Sequence, residues 1–350
     1  VTLAIGIVTT VFTAFTLTRW LIAVWLRRLR PTDMPAGLVN YIPFDTKISF
    51  MSMRNYAFGF SLIASLASFA MLASMEMNLG IDFRGGSLIE VAAKTGEADV
   101  SDVRQRLEQL DLGEVQVQEF GDGELMIRVG AQPGGDEAEQ AVVTKVRGAL
   151  DADYEFRRTE VVGPTVSAEL ARNGAIGVTV AMLAMLVYIW FRFEWQFAIG
   201  AIVSTVLDVI MMMGFYVLTG LEFNLTSIAA VLTIVGYSIN DTVVVYDRMR
   251  ENLRKYKKMP ITDLINLSLN HTLSRTILTG LTTLGALVAL YLFGGEVISS
   301  FTVAMLFGIL IGTYSSIFIA GPLLILFKLR PEAFSTDEDK EKVPAQASKA

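Results

Sequence analysis

The sequence predicts an α-helical polytopic membrane protein with one inserted α/β domain, and three observations predict it. Of its 350 residues, 53% are hydrophobic, and several apolar runs are long enough to cross a bilayer, where an open chain satisfies its backbone as helix. One long stretch, residues 76 to 172, breaks that pattern with 20 Asp and Glu against 10 Lys and Arg. The short loops between the later apolar runs are alternately basic and free of basic residues. The net charge of −6 thus averages segments of opposite character. With no cysteine and a single histidine, His271, the chain supplies no disulfide, thiolate or multi-histidine metal site. It has neither a G-x-x-x-x-G-K-[ST] loop nor a G-x-G-x-x-G turn, so nucleotide binding has no support.

Residues 1–30 read as one transmembrane helix, interrupted by Arg19 and closed by Arg27, Arg28 and Arg30. The charge follows the apolar run, the reverse of a signal peptide, so we expect the last helix of a larger upstream unit, ending in the cytoplasm. Residues 31–55 are expected to be a cytoplasmic linker and 56–76 a second span. Ser61, Ser65 and Ser68 line that span at helical spacing, either as a ridge for a close neighbour or as filler facing lipid. The acidic insert, 77–173, reads as strand Ser87–Lys94, helix Glu97–Leu110, strands Val115–Phe120 and Leu125–Val129, helix Asp136–Leu150 and strand Tyr154–Val162. Gly121-Asp122-Gly123 supplies the turn between the middle strands. That β-α-β-β-α-β order is the ferredoxin-like split unit.

Five further spans are expected within 174–328, at about 174–191, 197–219, 225–246, 274–293 and 298–328. The loop holding Arg192 and the loop 247–273, with Arg248, Arg250, Arg254, Lys255, Lys257 and Lys258, lie in the cytoplasm under the positive-inside rule. The loops carrying Glu222 and Glu296 lie outside, with the insert. The run 248–258 is expected to contact lipid headgroups, and 329–350 reads as a disordered cytoplasmic tail.

The candidate functional residues lie within these spans. Hydrocarbon does not solvate a carboxylate, so an intramembrane acid faces a bundle interior and marks an ion or proton path. Asp241 is such a residue, about 9 Å inward from Asp247 at about 1.5 Å per residue. Arg275 opens the next span near the same membrane face, so the two are expected to meet across antiparallel helices. Ser238, Asn240 and Thr242 surround Asp241, while Thr272, Thr279 and Thr282 share a face with Arg275. Two readings stand: an ion pair that locks two helices, or a titrating relay in which Asp241 carries the proton and Arg275 is the fixed counter-ion. Asp208, also mid-span, is expected to accept hydrogen bonds from Ser204 and other spans as a packing element, with a second relay role as the alternative. His271 is expected to be interfacial.

Three segments carry a family resemblance. Gly80-Ile-Asp-Phe-Arg-Gly-Gly-Ser87 resembles the signature of SecD/SecF protein-export subunits, with Gly80, Asp82, Arg84, Gly85 and Gly86 as its loop. Val235-Gly-Tyr-Ser-Ile-Asn-Asp-Thr-Val-Val-Val-Tyr-Asp-Arg-Met-Arg-Glu-Asn252 and Asn270-His-Thr-Leu-Ser-Arg-Thr276 are similar to the SecF signature and its companion segment. The resemblance covers about residues 40 to 330, and residues 1–30 look like the last SecD helix. It implies a six-helix bundle of the resistance-nodulation-division superfamily plus one extra N-terminal helix, in the bacterial inner membrane with 77–173 periplasmic. It implies an auxiliary subunit of the Sec translocon that uses the proton-motive force in late preprotein translocation, without hydrolase chemistry. Protons would be the coupling ion and no cofactor is expected. The relay role falls on Asp241 and Arg275, with a partnering aspartate in the SecD half; Leu207 stands where many relatives have histidine. Implied partners are the SecD half, the SecYEG translocon, YajC, an unfolded preprotein and membrane lipids, with no nucleic acid. The alternatives are a proton-coupled exporter of small molecules or lipids from the same superfamily, and a passive membrane scaffold.

Overall fold

The computed structural model describes residues 2–29, 46–95, 98–119, 123–295 and 298–327. It forms two compact units, Val1–Pro43 and Phe44–Ala350. In the first, α1 (Thr2–Phe12) and α2 (Thr18–Leu29) flank a π-helical turn, Thr13–Leu17. The expected linker residues up to 45, the turn at 121–122 and the tail from 328 lie outside the described residues.

The second unit begins with a 3-10 turn, Phe50–Ser52, and then α3 (Arg54–Ser74). A short turn of helix, α4 (Ile81–Arg84), leads into β1 (Gly86–Ala93). There follow α5 (Val100–Glu108), β2 (Val115–Glu119), β3 (Glu124–Val129), α6 (Asp136–Leu150) and β4 (Tyr154–Val162). The sheet order is β2-β3-β1-β4, antiparallel throughout, which is the ferredoxin-like arrangement. Alternation places Ile89, Val91, Leu125, Ile127 and Val129 on the face that packs on Val103 and Leu107 of α5 and Val142 and Val146 of α6. Asp99 starts α5 by accepting the backbone N–H groups of Ser101 (2.8 Å) and Asp102 (3.3 Å).

The remaining helices are α7 (Pro164–Arg192), α8 (Trp195–Thr219), α9 (Leu225–Lys255), α10 (Ile261–Phe293) and α11 (Ser299–Ser315). A π-helical turn, Ser316–Ala320, then joins α11 to α12 (Gly321–Leu326). Among the described residues, seven helices are long and apolar enough to cross a membrane.

Three expected boundaries move. The insert ends earlier than 173, because Pro164 sits at the first helical position of α7 and its missing N–H costs nothing there. Glu169, Arg172 and Asn173 read as loop by polarity yet belong to that helix. The expected loop 247–273 is mostly helical, since α9 runs to Lys255 and α10 starts at Ile261. Met249, Leu253, Leu264, Ile265 and Leu269 in these extensions are buried in one core. Hydropathy reports where a helix meets lipid; amphipathic packing decides where it ends.

Of the two readings of the α3 serines, the ridge is correct. Ser61, Ser65 and Ser68 are buried, and a Cβ on Gly214 of α8 would lie 2.4 Å from the Ser68 Cβ. Small residues on both helices let the backbones approach. Gly214→Val is therefore expected to cost about 1–3 kcal/mol through overpacking. Denaturant unfolding of the intact protein in micelles measures it, and an unchanged midpoint would show that the seam is not tight.

On the face of the sheet opposite α5 and α6, Glu90 is buried beside Arg158, 3.5 Å away. Burial pushes its carboxyl above the usual carboxylate range, Arg158 pulls it back down, and Glu160 and Glu124 push it up. The folded domain therefore holds this proton more tightly than the unfolded chain does. The group withdraws stability as pH rises above the ordinary value of 4.5. Glu90→Gln should flatten that decline, so its stability relative to the parent grows with pH in pulse proteolysis; a pH-independent difference would contradict this.

Candidate functional site

Asp241 lies on α9 one turn beyond Ser238, so both face the same neighbours. It is 7% exposed. Its Oδ1 accepts from Thr276 Oγ1 of α10 at 2.9 Å, and its Oδ2 accepts from Ser316 Oγ, the first residue of the π-helical turn, at 2.7 Å. One carboxyl thus ties together α9, α10 and the end of α11. A hydroxyl both donates and accepts, and the Ser316 hydroxyl is also 2.9 Å from the Thr313 carbonyl of its own helix. When the acid is ionised, Ser316 donates to it. When the acid carries a proton, the Ser316 hydrogen turns to Thr313 and its oxygen accepts from the acid. Ser316 thus has a partner in either charge state, whereas Thr276 has no second acceptor among the described residues, so the tie to α10 depends on the charge of the acid.

A second carboxyl lies one layer away. Asp208 of α8 is 1% exposed, and its Oδ2 accepts from Ser238 Oγ (2.6 Å) and Ser315 Oγ (2.7 Å). Ser204, expected as a direct donor, instead reaches Ser315 Oγ at 3.2 Å. Asp208 Oδ1 has no hydrogen-bond partner among the described residues. Through these bonds Asp208 forms a hydroxyl clamp across α8, α9 and α11.

Asp241 and Arg275, expected to meet, form no ion pair among the described residues, although the Arg275 charge still acts on the acid across the gap. Arg275 is exposed and forms no ion pair among the described residues. The reason is helical geometry: Thr276 is the residue of α10 that faces Asp241, and its neighbour in sequence points about 100° away. Arg275 lies instead on an exposed strip with Thr279 and Thr282, and Asn240 of α9 is exposed as well. Thr279 donates to the Arg275 carbonyl at 2.7 Å rather than to the acid. Thr272 is buried and bonds the Ser268 carbonyl at 3.1 Å. Thr242 is buried. His271 is exposed and meets the Arg248 guanidinium at 3.0 Å. Sequence reasoning missed Thr276, Ser315 and Ser316. Gly308, Gly312 and Ser316, spaced by four, were the available signal, since this stripe lies against α9: a Cβ on Gly312 would come 3.1 Å from the Ser238 Cβ.

The glycine-rich loop holds the other end of α9. The Gly80 N–H bonds the Phe223 carbonyl (2.9 Å), and Phe223 N–H bonds the Asn78 carbonyl (2.8 Å). A Cβ on Gly80 would meet Asn224 Cβ at 3.1 Å and the Glu222 carboxylate closer still. Asp82 Oδ2 accepts the N–H of Leu225, the first residue of α9, at 2.9 Å, a favourable place for a negative charge. Arg128 of β3 pairs with Glu222 and bonds Asn78 Oδ1 at 3.0 Å. Burial pushes the Glu222 carboxyl up, and Arg128 pulls it down. Arg84 makes an exposed pair with Glu76, at 3.4 Å. Gly85 and Gly86 have φ of 76° and 113°, and a Cβ on Gly86 would lie 2.2 Å from the Val129 carbonyl oxygen. The same α9 thus begins under the inserted domain and carries Asp241 sixteen residues later, about 24 Å along its axis.

Residues 142–330 match the profile described as protein export membrane protein SecD/SecF, C-terminal, and residues 70–97 match the SecD/SecF GG motif. The chain belongs to the SecD/SecF family. It is 48% identical over 295 residues to protein translocase subunit SecF of Rickettsia rickettsii, spanning 83% of this chain and 94% of that one. It is 46% identical over 331 residues to protein translocase subunit SecDF of Brucella abortus, spanning 94% of this chain but 44% of the relative. The crystal structure of SecDF, a translocon-associated membrane protein from Thermus thermophilus, superposes with a TM-score of 0.79 at 34% identity. That match covers 93% of this chain and 44% of the Thermus chain. The chain therefore spans less than half the length of the SecDF relatives and corresponds to their SecF-like C-terminal half. It is a multi-pass protein of the inner membrane, as SecD/SecF proteins are. In SecD/SecF terms, the GG motif is the joint that seats the inserted domain on α9.

Gly86→Ala, with a positive φ and a backbone oxygen in its way, is expected to cost about 1–3 kcal/mol and to loosen the domain's seat. Hydrogen exchange in intact protein should rise over residues 78–90 and 220–226; unchanged protection there would contradict the joint.

Proposed function

We propose that this chain is the SecF-type auxiliary part of the Sec preprotein translocase, and that it uses the proton-motive force to assist late translocation and release of exported proteins. Its partners on this reading are a SecD half, in the same or a separate chain, the SecYEG translocon, YajC, the unfolded preprotein and surrounding lipids. Protons serve as the coupling ion, and no hydrolase chemistry, cofactor or nucleic acid takes part.

The observation that carries this reading is the setting of Asp241: a buried carboxyl whose two oxygens are held by hydroxyls from two other helices, one of which, Ser316, has a partner in either protonation state. Each proton crossing the field supplies about 2.3 kcal/mol per 100 mV. A change of charge at Asp241 alters what ties α9 to α10 and α11. At its outer end α9 bonds Asp82 of the GG motif, so a shift of α9 is passed to the inserted domain. Arg275, exposed on the neighbouring face, is the fixed cation that a carboxylate of the SecD half would meet. The inserted domain touches the emerging polypeptide weakly, by shape.

Asp241→Asn in the complete SecD–SecF system is expected to abolish the part of export that depends on the proton-motive force while leaving SecF in the membrane at normal amounts. Export into inverted vesicles with and without an uncoupler measures it. Full retention of the uncoupler-sensitive part would rule out the relay and favour a passive scaffold.

A further inference from the structure

Among the described residues, Asp208 is the one buried carboxyl of the bundle besides Asp241. Its Oδ2 holds Ser238 of α9 and Ser315 of α11 at 2.6 and 2.7 Å. Asp241 follows Ser238 by three residues, and Ser316 follows Ser315 by one. Two carboxyls therefore grip the same pair of helices through adjacent residues: Asp208 through Ser238 and Ser315, Asp241 through itself and Ser316. The grip falls where α11 gives way to a π-helical turn, Ser316–Ala320. Such a turn leaves the ordinary hydrogen-bond ladder and recurs at functional sites. It is braced from the far side as well. Tyr246 of α9 donates to the Ala320 carbonyl at 3.0 Å, and Gly200 of α8 leaves room for that hydroxyl, which a Cβ there would meet at 2.4 Å.

We propose that Asp208 is a positioning residue: by fixing Ser315 at the mouth of the π-helical turn, it sets the reach of Ser316 to Asp241, without itself carrying the transported proton. This inference rests on the relay reading of Asp241. Three observations separate the roles. Asp208 is 1% exposed and Asp241 is 7% exposed, so Asp208 is the more sealed of the two. Each oxygen of Asp241 is engaged by its own hydroxyl from a different helix, whereas at Asp208 both hydroxyls, Ser238 and Ser315, converge on the single oxygen Oδ2 as a clamp. Ser315 has a poorer alternative acceptor than Ser316, the Gly312 carbonyl at 3.3 Å against Thr313 at 2.9 Å, so its hydrogen stays on Asp208. No charged side chain from α3, α7, α9, α11 or α12 pairs with Asp208 among the described residues. Along α9 the ionisable groups flanking Ser238 are Tyr237 and Asp241; Arg275 of α10 lies beyond Asp241.

The test uses the complete SecD–SecF system in membrane vesicles and follows uncoupler-sensitive export against pH. Asp208→Ala removes the clamp and should lower export about tenfold and move the pH midpoint by about one unit, a tenfold change in proton affinity at Asp241. Asp208→Asn keeps an oxygen that accepts both hydroxyls and should restore the parent midpoint. Ser315→Ala, which leaves Asp208 in place, should move the midpoint in the same sense as Asp208→Ala, and it decides the matter if Asp208→Ala does not accumulate. Asp208→Asn failing as completely as Asp241→Asn would make Asp208 a proton carrier and overturn the proposal. A midpoint unmoved in both Asp208→Ala and Ser315→Ala would reduce the cluster to packing. Asp241→Asn, run in parallel, separates the two levels: if it keeps uncoupler-sensitive export, the relay itself fails. If it loses export while the other midpoints stay put, only the positioning role fails.

Discussion

The bundle depends on satisfying a carboxyl buried among apolar helices. An ionised acid taken from water into a medium of low dielectric is very costly unless hydrogen bonds or a counter-charge hold it. At Asp241 the direct contacts are hydroxyls, from Thr276 and Ser316, rather than an ion pair. On the proposed relay, neutral donors suit a group that changes charge. A permanent ion pair would bind one state firmly and resist release, while a hydroxyl turns over and serves the other state. The hydroxyls come from two different helices, so whatever happens to the acid is felt by α10 and by the end of α11.

On the proposed relay, close packing makes a change at the acid mechanical. Gly308 and Gly312 bring α11 onto Ile234 and Ser238 of α9, and Gly214 brings α8 onto Ser68 of α3. Interfaces this tight move in discrete steps rather than by gradual yielding. Helix α9 is the continuous member. Its N-terminus receives Asp82, its middle carries Ser238 and Asp241, and its inner end packs Met249 and Leu253 against α10. Gly80 and Gly86 admit the loop that joins this rod to the sheet, and no side chain would fit in either place without displacing a neighbour.

Much of this was legible in the sequence. The order of strands and helices in the insert follows from alternation and turn residues, and the sheet closes in the ferredoxin-like order they imply. Asp241 stood out because an acid among valines has few explanations. Less was visible at helix ends, where Pro164 starts a helix inside a polar stretch and Leu253 and Leu264 bury themselves beyond the hydrophobic run. The partners of the acid were hidden for a different reason. Arg275 draws attention by its charge, yet Thr276 beside it faces the site, and one residue along a helix is a change of face. Ser315 and Ser316 look ordinary in an apolar segment, and only the approach of α8 and α9 shows that each serves a different carboxyl.

The most direct test of the account is infrared difference spectroscopy of the complete SecD–SecF system in lipid, comparing energised with de-energised membranes. The account predicts a band of a protonated carboxylic acid that changes with the proton gradient and is lost in Asp241→Asn. A carboxyl spectrum identical in both conditions, or a responsive band that survives in Asp241→Asn, would contradict it.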